Sequence, residues 1–305
     1  MLDPRDLYTF DSEFDAGLGD APVLLVGLDG FVDAGFASHL AVGHLIDQLE
    51  TRIVATFDID QLLDYRGRRP IMTFESDRWT AYQSPSLALY EARDTEGTRF
   101  LMLVGHEPDL QWERFAKAVV TVVEQLGVRL TVGLNAIPMP VPHTRPIAVT
   151  THGTRPELVE DNERWFQSAE VPASAAALLE FRLGEAGHDA MGIAAHVPHY
   201  LARAEYPSAA HALLVHLSRA TGLSLPIEAL DRAAERSLTE IEQQVAGSEQ
   251  AINVVQALER QYDTVVAGRG KAALIAPDAE LPTADELAAE VERYLATQHP
   301  DGPGA

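Results

Sequence analysis

The chain has 305 residues, 46% of them hydrophobic and 23% charged. That composition suits a globular protein able to bury roughly 75% of its unfolded surface. Its 46 acidic and 23 basic residues give a formal net charge of -23 at pH 7, which opposes counterion-release binding of nucleic acid and adsorption to anionic membranes, so neither is expected as a partner. The absence of cysteine excludes disulfides, thiolate metal sites and a thiol nucleophile.

Residues 1–19, acidic with Tyr8, Phe10 and Phe14, read as an N-terminal arm over the body or a neighbour. The start lacks the basic-then-apolar order of a signal peptide. The longest apolar runs, VLLVGL and FLMLVG, fall short of the roughly 18 residues of a spanning segment, so a soluble cytoplasmic protein is expected.

The stretch Pro22 to Glu50 organises the rest of the chain. It predicts a buried strand (Val23 to Leu28), a tight acidic loop holding Gly27, Asp29, Gly30 and Asp33, and a helix to about Glu50, the first half of a βαβ unit. Arg52 to Ile59 is a second strand, followed by DYRGRRP with Arg66, Arg68 and Arg69. Strands are expected at Leu87 to Arg93 and Arg99 to Val104 around a DTEG turn. A helix from Leu110 to Leu126 ends at Gly127. Further strands are expected at Val128 to Ile137, Ile147 to Thr150 and Ala190 to Val197, with helices at Ala173 to Leu183 and Ser208 to Thr221. This alternation is α/β architecture, assigned to a domain spanning 20–222.

After Gly222 the pattern becomes helical. Apolar positions from Ile227 to Val245 and from Ile252 to Val265 predict an antiparallel helix hairpin. Thr283 and Glu286 form a capping box for a third helix, and Ala272 to Ile275 is the one remaining strand-like segment. The extension is assigned to 223–298, with a disordered tail at 299–305. From Ser224 onward 15 acidic and 6 basic residues contribute -9 of the net charge.

In an open α/β sheet, ligands bind outside the carboxyl ends of the strands. Five loops there are expected to converge: Asp29 to Asp33, His106 to Asp109, Pro138 to Arg145, Thr151 to Gly153 and His196 to Tyr200. They supply Asp29, Asp33, His106, Glu107, His143, Arg145, His196 and His199 as candidate ligand or crevice residues, the side-chain types that acid–base chemistry draws on. Arg66, Arg68 and Arg69 are candidate anion binders, or partners for the chain's own carboxylates.

No complete catalytic motif is present. The glycines of G27-L-D-G30-F-V-D-A-G35 follow neither dinucleotide nor P-loop order, and Asp33 reads more simply as a helix N-cap. His196 and His199 are separated by Pro198 and lack further zinc ligands, so no metal and no cofactor are expected. His39 with His44, and His211 with His216, do not share a helix face, which favours structural roles.

GLDGFVDAG, DYRGRRP, GHEPDLQW, PMPVPHTRP and HVPHYL, in this order over residues 22–201, resemble the PAC2 family, the proteins related to proteasome assembly chaperone 2, and in particular its longer actinobacterial-type members. The resemblance implies a mixed-sheet α/β fold similar to the purine nucleoside phosphorylase-like fold, with a C-terminal helical extension. It also implies homo-oligomers, trimers among them, and no established catalytic activity. Eukaryotic and archaeal relatives are linked to assembly of proteasome subunits. Two functions are therefore expected: a non-enzymatic oligomeric scaffold with a protein partner on the helical extension, or a small-molecule enzyme or binder taking a nucleoside-like or anionic ligand in the strand-end crevice.

Overall fold

The computed structural model describes residues 2–14, 22–159, 168 and 170–267. The expected strand at 272–275, the helix beginning at Thr283 and the tail lie outside these residues, as does the arm beyond Phe14.

Ten strands are described: β1 (Tyr8–Phe10), β2 (Val23–Asp29), β3 (Thr51–Phe57), β4 (Met72–Glu75), β5 (Arg78–Tyr82), β6 (Leu87–Arg93), β7 (Arg99–His106), β8 (Leu130–Met139), β9 (Val149–Gly153) and β10 (Ala190–Pro198). The helices are α1 (Ala37–Gln48), α2 (Trp112–Leu126), α3 (Ala175–Glu185), α4 (Pro207–Thr221), α5 (Glu228–Ala246) and α6 (Glu249–Ala267). Eight strands form one mixed sheet in the order β1-β3-β6-β7-β2-β8-β10-β9, and β4 and β5 form a separate ribbon. The central β7, β2, β8 and β10 are parallel, while β6 and β9 run against their neighbours.

Alternation along the strands builds two cores, one on each face of the sheet. Val23, Leu25, Phe100, Met102, Val132 and Ile193 pack with α1 and α4, and Leu230 of α5 joins them. Leu24, Val26, Leu28, Leu101 and Leu103 pack with α2 and α3. The molecule is thus a sheet between two helical layers. Gly127 (φ +62°) and Gly222 (φ +79°) end α2 and α4 in the left-handed conformation that glycine adopts without steric cost.

Three features depart from the sequence reading. Tyr8–Phe10 joins the sheet as an edge strand antiparallel to β3. Met72–Tyr82 forms a hairpin where no strand was expected. Because β9 is antiparallel to β10, Thr151 to Gly153 runs toward the other edge of the sheet, and His152 lies beside Gly192, near the start of β10. That loop does not join the other four; His152 instead meets Glu180 at 2.8 Å.

Candidate functional site

The carboxyl ends of β2, β3, β7, β8 and β10 share one edge of the sheet. The loop after β2 is shaped by its acids. Asp33 accepts hydrogen bonds from the backbone N–H of Ser38 (2.7 Å) and His39 (3.0 Å) in the first turn of α1. A 3-10 turn at Ala34–Phe36 intervenes, so the residue adjoining α1 is Phe36, held left-handed at φ 52°. Asp33 therefore caps from a distance, and burial raises its carboxyl above the usual range against the pull of those two donors. Asp29 meets His39 Nδ1 at 2.9 Å.

Glu107 is buried. Its Oε2 accepts from Phe31 N–H at 3.0 Å and its Oε1 from Ala175 N–H at 2.7 Å, so one carboxylate holds the β2 loop and the N-terminus of α3 together. A Cβ on Gly30 would overlap the Glu107 side chain, which is why a glycine is needed at this point of GLDGF. His106 is half-buried, and its N–H donates to the Ser86 carbonyl.

The three arginines do not converge. Arg68 donates from Nη1 to the carbonyls of Asp29 (3.3 Å) and Glu107 (3.1 Å) and from Nη2 to Asp109 at 2.9 Å. Asp109 in turn accepts from Asp64 N–H. Arg66 pairs with Asp64, which holds that carboxyl below its usual range, and Arg69 is exposed. Thus one guanidinium ties DYRGRRP to the GLDG and GHEPD segments. Sequence spacing carried no sign of this hub, because its acceptors are mostly backbone carbonyls.

The loop after β8 is covered by α6. Arg145 holds Asp263 with two 2.8 Å bonds and reaches Glu259 at 3.2 Å. Thr144 donates to the same Glu259 carboxylate at 2.6 Å. Beside them Tyr262 packs on Met139 and Val141 and donates its hydroxyl to the Pro146 carbonyl at 3.2 Å. His143 is buried, with its backbone N–H and Nδ1 both within 2.9 Å of the Tyr200 hydroxyl. Burial lowers the His143 pKa, while Glu242 and Glu259 pull the other way. Burial also pushes the Tyr200 phenol up to about 12.

His196 is 1% exposed on β10, with Nε2 at 2.7 Å from Thr150 Oγ1. Burial holds its imidazole at about 4, so it is neutral at pH 7. His199 packs edge-on against the Tyr200 ring. The candidates therefore separate into two neighbourhoods. Asp29, Asp33, His106 and Glu107 surround the ends of β2 and β7, whereas His143, Arg145 and His199 gather around Tyr200 and α6. Among the described residues no group of three or more histidines and carboxylates is placed to hold a metal ion.

The same edge carries large apolar side chains in the open. Phe31 (59% exposed), Phe36 and Leu110 stand on the loops after β2 and β7. Ile71, Met72, Phe74, Trp79 and Tyr82 project from the β4–β5 hairpin, which leaves and re-enters the sheet at this edge. The alternation in MTFE and RWTAY around Ser76 and Asp77 was the available signal for this hairpin.

No curated protein matches the chain. A Mycobacterium tuberculosis protein of unknown function is 46% identical, with a TM-score of 0.82 over 86% of this chain and 90% of that one. A Corynebacterium glutamicum protein of unknown function is 39% identical, with a TM-score of 0.82 over 86% and 99%. A Mycobacterium tuberculosis proteasome-assembly chaperone homologue is 25% identical, with a TM-score of 0.71 over 76% and 99%. The PAC2 family model matches residues 27–245, from Gly27 in the β2 strand through nearly all of α5, with α6 beyond it. On that match, which spans the glycine loop, the Arg68 hub and the sheet they close, the chain belongs to the PAC2 family.

Proposed function

We propose that this chain is a non-enzymatic, homo-oligomeric scaffold that binds other proteins in the manner of an assembly chaperone, with the strand-end edge as its contact surface. The observation that carries the reading is the division of labour at that edge. Glu107, Arg68 and Arg145 are engaged with the chain's own backbone and carboxylates, while eight large apolar side chains face outward. Polar groups with satisfied partners are poorly placed to recognise a small molecule, and exposed apolar patches at this scale mark protein contacts. The likeness to a proteasome-assembly chaperone homologue points the same way and suggests proteasome subunits as a class of client to test.

The test is affinity isolation of the full chain from its native cells, followed by mixing the pure chain with unassembled proteasome subunits. A stoichiometric second protein in the isolate, and a complex with those subunits on sedimentation, are expected. An isolate holding only the chain itself, with no complex on mixing, overturns the reading.

A further inference from the structure

Among the described residues the β4–β5 hairpin buries no side chain against the rest of the chain, and Tyr82 meets Tyr65 at its base. Every residue of both strands is exposed. Its ladder runs from Met72 paired with Tyr82 to Glu75 paired with Arg78, and Gln83 N–H adds a bond to the Ile71 carbonyl at 2.9 Å. A two-stranded ribbon alone is marginally stable in water. This one also exposes Ile71 by 64%, Phe74 by 55% and Trp79 by 62%, and among the described residues no strand pairs with either of its edges. Such a ribbon is stabilised by whatever covers it.

We propose that the hairpin is an arm that docks on the strand-end edge of a second copy of this chain, against Phe31, Phe36 and Leu110. The inference rests on the homo-oligomeric part of the proposed function, names the surface that forms the oligomer, and makes self-association and client binding compete for the same edge. Both halves of the contact are present on one chain: an apolar projection, and exposed apolar side chains on the loops of the edge from which it projects. From their fractional exposures, the five hairpin side chains offer on the order of 600 Å² and the three edge residues on the order of 300 Å². In a reciprocal exchange, where each copy gives its hairpin and receives the other's, each contributes both surfaces and the contact reaches the roughly 800 Å² per partner of a standard interface.

Charge also favours a second copy. Two chains of -23 repel at most surfaces, but Met72–Tyr82 carries only Glu75, Asp77 and Arg78. Arg69 and Arg78 are exposed and, among the described residues, have no carboxylate partner. Asp29, 38% exposed, lies two residues from Phe31 to receive one of them.

Sedimentation equilibrium of the pure full chain tests the arm. Wild type is expected to self-associate, and Phe74→Ser with Trp79→Ser to raise the dissociation constant on the order of a hundredfold, two lost hot-spot residues. Circular dichroism and melting temperature should hold, since both side chains are exposed. Phe31→Ser should weaken association from the receiving side. Because the chain has no cysteine, Trp79→Cys copies mixed with Phe31→Cys copies and a short bismaleimide should give a cross-linked dimer. A monomeric wild type, a double variant of unchanged mass, or absence of the mixed cross-link overturns the proposal. A negative result in the isolation from cells leaves it standing, so the two failures are separable.

Discussion

At Glu107 a buried carboxylate satisfies two backbone donors, the Phe31 and Ala175 N–H groups. Glu107→Ala therefore leaves one buried and one part-buried donor unpaired and is expected to cost about 3 kcal/mol, measured by urea unfolding. Gly30→Ala forces a methyl into the same carboxylate and should lower stability by a similar route. His196 titrates near 4 when folded and near 6.5 when unfolded. Between those values the unfolded chain binds the extra proton, so this contribution is complete above pH 6.5 and falls away as pH drops toward 4, by about 3 kcal/mol in all. Thermal melts from pH 7 to pH 4 should show a shallower loss for His196→Gln than for wild type; parallel curves would mean that His196 is not the buried neutral group described.

Among the elements, α6 packs on α5 with Val255 and Leu258 buried, and it is fastened to the edge by the Arg145, Thr144, Glu259 and Asp263 group with the small cluster of Tyr262, Met139 and Val141. Arg145→Ala should free the helix, seen as faster hydrogen exchange and protease cleavage between Glu249 and Ala267 with the sheet unchanged. Raising salt should do the same to wild type in smaller measure, because Asp263 is exposed and its pair is screened. Unchanged exchange in α6 would show that apolar contacts alone hold it. Most of these elements were legible in the sequence. Leu87–Arg93 has its expected bounds beside the DTEG turn, and Gly127 and Gly222 stop α2 and α4 as expected. Two kinds of structure were not legible. Tyr8–Phe10 is three residues long, too short for a period, and the short alternation in β4 and β5 marks no buried face, since every residue of both strands is exposed. The edge itself was foreseen from strand order, but the direction of β9, which removes His152 from it, depends on pairing that no local pattern encodes. Burial of Glu107 and the covering of Arg145 by α6 arise from contacts between residues 68 to 118 positions apart.

For the whole molecule, charge and apolar surface oppose each other. Each copy carries -23, so bringing copies together costs Coulomb energy that salt screens, while contacts through Phe31, Phe74 and Trp79 are not weakened by it. Self-association should therefore strengthen from low to moderate salt, and again as pH falls toward the isoelectric point near 4.7 without unfolding. Association that weakens with salt would indicate an interface built on ion pairs elsewhere. Among the described residues no helix is long and apolar enough to cross a membrane, so the exposed apolar edge is not part of a spanning helix.

Native mass spectrometry of the full chain purified gently from its own cells tests the scaffold function most directly. Masses that are multiples of the chain, alone or with a second protein, and free of any small-molecule adduct are expected. A single chain carrying a stoichiometric small molecule, lost on changing His143 or His199 to Ala, would contradict the scaffold and make the strand-end edge a ligand site.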